Sequence, residues 1–213
     1  MKHLSSVLAC ALAFAAAPAL ATDSAKIAQG GTGNNATIEQ IGTAGNNHAA
    51  VHQGEGWYGG SGNSAHLTQH GVDNSRIDVM QSGYNNQHSV HQYGGSNLQA
   101  SVNVNSGMYG DMGGEGNSVS IFQSGWNALA SVEQNGSYYS RAEISQHGYD
   151  GQNMADVWQQ GSSNQGMVYQ YGGNNQASIQ QSGDNLSASI TQQSNGYGYG
   201  YGYANSAAIR QSY

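Results

Sequence analysis

Polar and apolar residues alternate along most of the chain in one phrase, which recurs every 11 to 13 positions over most of its length. Fourteen glutamines mark the copies. Ile, Val or Leu stands two residues before every one of these glutamines. Ala stands four residues before ten of them, and Asn stands six residues before nine of them. The phrase N-x-A-x-[IVL]-x-Q is therefore a tandem repeat, and all its offsets are even.

Even offsets predict strands. Side chains two positions apart share one face of a β-strand, whereas a helix would spread them around its axis. Gly follows the glutamine by two positions in eleven of the fourteen copies and marks a turn. A degraded fifteenth copy, LQASVNV at residues 98–104, fills the longest gap. We predict an all-β protein: a β-solenoid of about seven strand-turn-strand rungs, with two parallel sheets facing each other and cross-β order on polymerisation.

The polar part of the phrase is predicted to lie in the core. A buried amide without a partner is costly, but identical amides stacked on successive rungs can hydrogen-bond along the stack as ladders. The predicted ladder and core residues are Asn34, Ile38, Gln40, Asn47, Val51, Gln53, Asn86, Val90, Gln92, Asn153, Val157, Gln159, Asn164, Val168, Gln170, Asn175, Ile179, Gln181, Asn205, Ile209 and Gln211.

The first 21 residues do not follow the repeat. They contain one Lys near the start, an apolar run at residues 7–17 and the sequence Ala19-Leu20-Ala21 before Thr22. This pattern is typical of a secretory signal peptide, and the apolar run is too short to span a bilayer. We expect a signal peptide at residues 1–21 and tandem repeats at residues 22–213, with insertions near 54–62, 105–116 and 193–204.

Removal of the signal peptide would change both cysteine content and charge. Cys10 is the only cysteine, so the exported chain would have no disulfide framework. Loss of Lys2 would change the formal net charge from −7 to −8. A weakly acidic chain with scattered cations argues against nucleic acid as a partner. The remaining cations are Lys26, Arg76, Arg141 and Arg210.

The repeat contains few residues that could form a catalytic or binding site. It contains no Ser/His/Asp set and no carboxylate pair, so we predict no enzyme, no catalytic, cofactor-binding or metal-binding residues and no cofactor. His48 and His52 share a predicted outward face, as do His66 and His70; such pairs can bind zinc or copper, but we interpret them as solvated strand residues. The tyrosines of residues 197–203 alternate with Gly. We interpret them as a turn insertion, with an adhesive tract as the alternative.

The strand phrase with its following turn resembles the curlin repeat of bacterial curli. NNATIEQIG, SRIDVMQSG, NQHSVHQYG and NQASIQQSG each fit that repeat, and the resemblance extends from Asp23 to Gln211. It implies a secreted structural subunit of extracellular functional amyloid, which forms cell-surface fibres for biofilm matrix, adhesion and aggregation. It also implies self-assembly, a second curlin subunit and an outer-membrane export pore.

The resemblance leaves the type of subunit open. The nucleating minor subunit tends to have final repeats rich in Lys and Arg, whereas the last copy here, NSAAIRQSY, carries only Arg210. This favours the major subunit. The first copy, however, begins at Asp23 without the Gly- and Asn-rich leader usual in major subunits. The alternatives are a nucleator at the cell surface and, from another class, a monomeric secreted β-solenoid that binds a ligand.

Overall fold

The strands alternate between two facing parallel sheets as the chain coils. The computed structural model describes residues 13–14, 23–43, 45–54, 60–105, 115–148, 151–194 and 204–213, and every regular element there is a β-strand. Sheet 1 contains, in spatial order, β1 (Ala13–Phe14), β3 (Asn35–Ile41), β6 (Ser64–Asp73), β9 (Gln87–Ser96), β11 (Ser118–Trp126), β13 (Arg141–Gly148), β15 (Gln165–Tyr171) and β17 (Ser187–Gln193).

Sheet 2 is built from the intervening strands. In spatial order it contains β2 (Ser24–Gln29), β4 (His48–Gln53), β7 (Arg76–Gln81), β10 (Gln99–Asn105), β12 (Ala128–Tyr138), β14 (Asn153–Ser162), β16 (Asn175–Ser182) and β18 (Asn205–Ser212). A small third sheet at one corner pairs β5 (Gly60–Ser61) with β8 (Gly83–Tyr84). The degraded copy at residues 98–104 is β10. The predicted β-solenoid is confirmed.

The register stacks each position of the phrase on its equivalent in the next rung. Ile121 pairs with Val90 on one side and Ile144 on the other, and the flanking glutamines pair in the same way. Inward residues of both sheets form one apolar core of Ala and branched aliphatics, from Ile38 to Ile190. Small Ala beside a branched residue lets the two sheets approach closely.

Most turns contain, besides one or more glycines with positive φ, one further residue in the left-handed region. This residue immediately precedes the Asn position of the phrase. Asn85 and Asn185 occupy it with φ of 56° and 58°, and Asn tolerates that conformation. Tyr139 and Ser163 occupy it with φ of 52° and 57°, although neither residue type favours it.

Parts of the sequence predictions fall outside the described residues. Of the predicted signal peptide only β1 is described, which pairs with β3 at Glu39 and Gln40. Of the predicted insertions, residues 55–59, 106–114 and 195–203 lie outside, and with them the tyrosines of residues 197–203. Within the described part of the chain there is no helix long and apolar enough to cross a membrane.

Candidate functional site: two glutamine ladders

A continuous ladder of glutamine amides runs through sheet 1. In each step the Nε2 of one glutamine donates to the Oε1 of the glutamine in the next rung, over 2.8–3.0 Å. All members are at most 7% exposed. Every donor points towards the C-terminal end of the solenoid. The members are Gln40, Gln69, Gln92, Gln123, Gln146, Gln170 and Gln192.

The same amides also join the two sheets. The second N–H of each glutamine crosses the core and donates to a backbone carbonyl at the start of the preceding strand of sheet 2. Gln92 bonds Arg76 in this way at 3.0 Å, and Gln123 bonds Gln99 at 2.9 Å. Each amide group except that of Gln192, which ends the ladder, therefore donates twice, once along the stack and once across it. A buried glutamine is stabilised here because both of its N–H groups have acceptors.

The ladder in sheet 2 is interrupted. Its first segment joins Gln29, Gln53 and Gln81, with distances of 2.7 and 2.6 Å. Val104 occupies the ladder position of the next strand, β10, and is 1% exposed. The second segment joins Gln134, Gln159, Gln181 and Gln211, with distances of 2.8–2.9 Å.

The stacked asparagine side chains hydrogen-bond mainly to backbone groups of the turns, and only a few of them bond to each other. In sheet 1, Oδ1 of Asn34 accepts the backbone N–H of Asn63, and Oδ1 of Asn63 accepts that of Asn86, both at 3.0 Å. The amide nitrogen of Asn63 donates to the turn carbonyl of Gly83 at 2.9 Å. Bonds between Asn amides occur at a few steps, such as Asn205 to Asn175 at 2.9 Å. These side chains thus fix each turn to the turn of the next rung.

Hydrophobic residues replace Asn in the middle of sheet 2. Leu98 and Ala128 stand at the Asn position of β10 and β12, and together with Val72 they form a small apolar cluster separate from the main core. The polar columns of sheet 2 are therefore both interrupted at β10, by Leu98 and by Val104.

The residues singled out from the sequence lie on the inner face, and most are buried. Eighteen of the predicted ladder and core residues are at most 7% exposed. Asn205, Ile209 and Gln211 are half-buried, because they belong to β18, the last strand of sheet 2. The solenoid brings all of these residues into stacked columns and not into one compact site.

His88 is a core residue that the sequence reasoning missed. It stands at the Ala position of β9, between Ala65 and Val119 in sheet 1, and is 4% exposed. Neither of its ring nitrogens has a hydrogen-bond partner among the described residues. Desolvation by burial lowers the pKa of His88 from 6.5 to about 3. Its position in the phrase, four residues before Gln92, was the one available signal.

The outer face of sheet 1 carries a stripe of imidazole and aromatic rings. His66 and His91 meet edge to face with centroids 5.4 Å apart, and His70 stacks on Tyr93 at 4.8 Å. Burial, followed by the neighbouring His66, lowers the pKa of His91. Among the described residues no group of three or more His, Cys, Asp and Glu side chains is placed to hold a metal ion.

The outer face of sheet 2 is more mixed. Arg76 is paired with Asp78 on the same strand, and His48 lies 3.6 Å from Asp78. A shallow groove of about 420 Å³ crosses β12 to β18 and is lined in part by Leu129 and Met154. Burial raises the pKa of Asp156 at this groove, and a hydrogen bond from Ser131 opposes that shift. These contacts are those of a solvated strand face.

Comparison with known proteins identifies the repeat. The model of the curlin associated repeat matches residues 152–183 and, overlapping them, residues 161–193. These matches span β14 to β17, where both glutamine columns are intact, as they also are from β2 to β7. No curated protein and no solved structure matches the chain. Residues 152–193 therefore carry curlin associated repeats, and the same phrase is stacked in register from β2 to β18.

Proposed function

We propose that the exported chain is the structural subunit of a secreted, curli-like amyloid fibre. The match of residues 152–193 to the curlin associated repeat supports this proposal, because curlin repeats build structural subunits of extracellular fibres. The observation that carries the finer proposal is the direction of the glutamine ladders. Every step donates towards the C-terminal end, so the two ends of the solenoid are chemically complementary.

The N-terminal end offers acceptors and the C-terminal end offers donors. Gln29 and Gln40 begin the two ladders, and their Oε1 atoms receive no amide from an earlier rung among the described residues. Gln192 and Gln211 end the ladders, and each uses one N–H on a cross-sheet carbonyl. A second subunit added end to end satisfies both sets at once.

The apolar core is open at the same two ends. The partly buried hydrophobic residues that pack on the core all lie in the terminal rungs: Ala25, Ile27, Ala36, Ala207 and Ile209. Addition of another subunit covers them, and it also pairs the open strand edges. Burial of apolar surface and completion of backbone hydrogen bonds therefore favour the same head-to-tail contact.

The wider role follows from the family. We infer that residues 1–21 direct secretion, that an outer-membrane pore exports the chain, and that the fibres serve in biofilm matrix, adhesion and aggregation. Arg210 is the only charged residue of β18, which favours the major over the nucleating subunit. The partner in the fibre is the chain itself, with a second curlin as the nucleator.

Assembly of the chain without residues 1–21 tests the proposal. Freshly desalted protein is expected to sediment within hours and to give aligned fibres that diffract near 4.7 and 10 Å, the strand and sheet spacings of cross-β structure. A protein that stays monomeric in the supernatant overturns the proposal in favour of a soluble solenoid that binds a ligand.

A variant of the last strand tests the growth end. Ile209→Pro removes a backbone donor and a core side chain from β18, so it is expected to slow the extension of wild-type seeds at least tenfold. Gly198→Pro lies in the sequence-predicted insertion, outside the repeats, and serves as the control with an expected rate close to wild type. An unchanged rate for Ile209→Pro excludes β18 as a growth edge.

A further inference from the structure

In the described part of the repeat region, the two facing sheets together contain an odd number of strands. Once residues 1–21 are removed, sheet 1 retains the seven strands from β3 to β17, and sheet 2 has the eight strands from β2 to β18. The first and the last of these strands therefore lie in the same sheet. Among the strands that the structure describes, the subunit comprises seven and a half rungs.

This half rung limits how a second copy can be added. If the next copy keeps the same orientation, β18 meets β2 and β17 meets β3. Sheet 2 then gains eight strands per subunit and sheet 1 only seven, so each junction lacks one strand of sheet 1. If the next copy is turned by half a revolution about the fibre axis, β17 meets β2 and β18 meets β3. Both sides of the fibre then advance by the same seven and a half rungs.

Strand direction permits the half-turn. Successive strands of the coil run in opposite directions in the two facing sheets, and all pairs within a sheet are parallel. A half-turn about the fibre axis exchanges the two sheets and reverses the strand direction at the same time. The incoming β3 is therefore parallel to β18, with its apolar face still turned to the core.

The cross-sheet hydrogen bonds favour the half-turn. Most glutamines donate to the carbonyl five residues before the ladder position of the preceding strand in the facing sheet, as Gln40 does to Ser24 at 3.4 Å and Gln211 does to Ser187 at 3.1 Å. In the half-turn arrangement, Gln29 of the incoming copy follows β18 and finds the equivalent carbonyl, that of Ser206. In the unrotated arrangement the strand that should carry this carbonyl is missing.

The surface charges favour the same arrangement independently. Arg210 stands immediately before the glutamine of β18, and Glu39 stands immediately before the glutamine of β3. The half-turn puts these two residues in register, so that opposite charges meet directly across the junction. Without rotation, Arg210 meets Ala28 of the incoming copy.

We propose that successive subunits of the fibre are related by a half-turn about its axis, with β18 of one copy paired in register with β3 of the next. This inference rests on the proposed function, since it concerns the fibre that the exported chain forms. It assigns the growth contact to two pairs of strands, β18 with β3 and β17 with β2.

Engineered cysteines distinguish the two arrangements, because the exported chain contains no other cysteine. Ala208 and Thr37 lie on the outer faces of β18 and β3, three residues before the respective glutamines. Lys26 has the same position on β2. Directly paired residues of adjacent strands are about 4.8 Å apart, within the span of a disulfide. Residues on opposite outer faces are more than about 10 Å apart.

The experiment compares two double variants after assembly and mild oxidation. Ala208→Cys/Thr37→Cys is expected to give covalent multimers on a denaturing gel, and Ala208→Cys/Lys26→Cys is expected to remain monomeric. Cross-linking of the second variant instead of the first overturns the half-turn, as does fibre formation without cross-linking of either. The absence of fibres in all samples, including the chain without cysteines, contradicts the proposed function itself.

A charge reversal provides a second readout that does not depend on cysteine geometry. Arg210→Glu places like charges across the junction with Glu39 and is expected to slow seeded elongation about threefold at low salt. The double variant Arg210→Glu/Glu39→Arg is expected to recover the wild-type rate. A double variant as slow as the single one excludes the pairing of Arg210 with Glu39.

Discussion

Val104 and Gln134 are register partners in adjacent strands of sheet 2, and they mark a defect in the core. The Oε1 atom of Gln134 is buried without a hydrogen-bond partner among the described residues, because its register partner Val104 has no amide to donate. Gln81, on the other side of Val104, donates to the carbonyl of Ser64 at 3.2 Å and not to a ladder neighbour. One substitution thus divides the ladder of sheet 2 into two.

Val104→Gln is expected to stabilise the protein by repairing this ladder. The new amide accepts from Gln81 and donates to Gln134, which supplies the missing partner of a buried oxygen. We expect the free energy of unfolding to rise by about 1–3 kcal/mol, the cost of an unsatisfied buried polar group. Guanidinium unfolding at a concentration too low for assembly measures it.

Val102→Gln is the matched control for this repair. Val102 lies two residues earlier on the same strand, in the aliphatic column, and is also 1% exposed. An amide there meets no ladder and is expected to destabilise the protein by at least about 1–3 kcal/mol. If both variants lose stability equally, the interruption at Val104 is not a defect of hydrogen bonding.

Substitution by Leu is expected to destabilise the protein strongly at Gln181 and hardly at all at Gln180. Gln181 is buried, accepts from Gln159, and donates to Gln211 at 2.9 Å and to the carbonyl of Gln165 at 3.0 Å. Its replacement leaves these partners unsatisfied and is expected to cost about 2–4 kcal/mol. Gln180 is exposed, so its replacement is expected to change stability by less than about 0.5 kcal/mol. Equal losses in unfolding experiments mean that the assigned faces are wrong.

Much of this architecture could be predicted because it repeats. The even spacing of Asn, Ala, aliphatic and Gln defines both strand and inner face, and even the degraded copy could be placed as β10. The second hydrogen bond of each glutamine could not be predicted, because it depends on how the facing sheets are offset along the axis. Gln92, for example, reaches the carbonyl of Arg76 on another strand. Periodicity within one strand carries no information about that offset.

Single departures from the repeat were equally hard to read from the sequence. His88 replaces Ala at an inner position, and only its place in the repeat, four residues before Gln92, indicates its burial, because histidine as a residue type is usually exposed. The turn residues in the left-handed conformation were also missed, because their residue type is common in this sequence. Asn85 and Asn185 directly precede the Asn position of the repeat and have a positive φ. Because Asn is frequent throughout the sequence, its presence at these positions did not indicate a left-handed turn.

Acidification is expected to destabilise the protein through His88. Its pKa is about 3 in the fold against 6.5 for the free side chain, so the unfolded chain binds the proton more readily. The stability is therefore full above about pH 6.5 and is lost as the pH falls towards 3. Between pH 7.5 and 4.5 this loss amounts to about 2–3 kcal/mol.

His88→Ala isolates that contribution. Ala is the usual residue of this column, and all other titrating groups remain. The loss of unfolding free energy between pH 7.5 and 4.5 is expected to be about 2–3 kcal/mol smaller in the variant than in the wild type. Identical pH dependence of the two proteins refutes the role of His88.

Tyr139→Asn is expected to stabilise the turn between β12 and β13. Tyr139 is 64% exposed, so its ring contributes little packing, and its φ of 52° is unfavourable for a bulky residue. Asn occupies the equivalent turn positions at Asn85 and Asn185. We expect a gain of about 0.5–1 kcal/mol in the free energy of unfolding.

Tyr138→Asn provides the control for this turn. Tyr138 ends β12 without a positive φ, so Asn there relieves no strain and is expected to give no gain. If the free energy of unfolding of Tyr139→Asn equals that of the wild type, the left-handed conformation does not destabilise the protein at this position.

The uniform direction of the glutamine bonds also has an electrical consequence. Each side-chain amide is a dipole, and within both ladders the dipoles are aligned, as peptide groups are along a helix. The carbonyl oxygens point towards the N-terminal end of the subunit and the N–H groups towards the C-terminal end. In the fibre that we propose, head-to-tail addition extends this alignment over the whole length. One tip is thus partially negative and the other partially positive, so ions and charged surfaces distinguish the two tips even where their strands have the same shape.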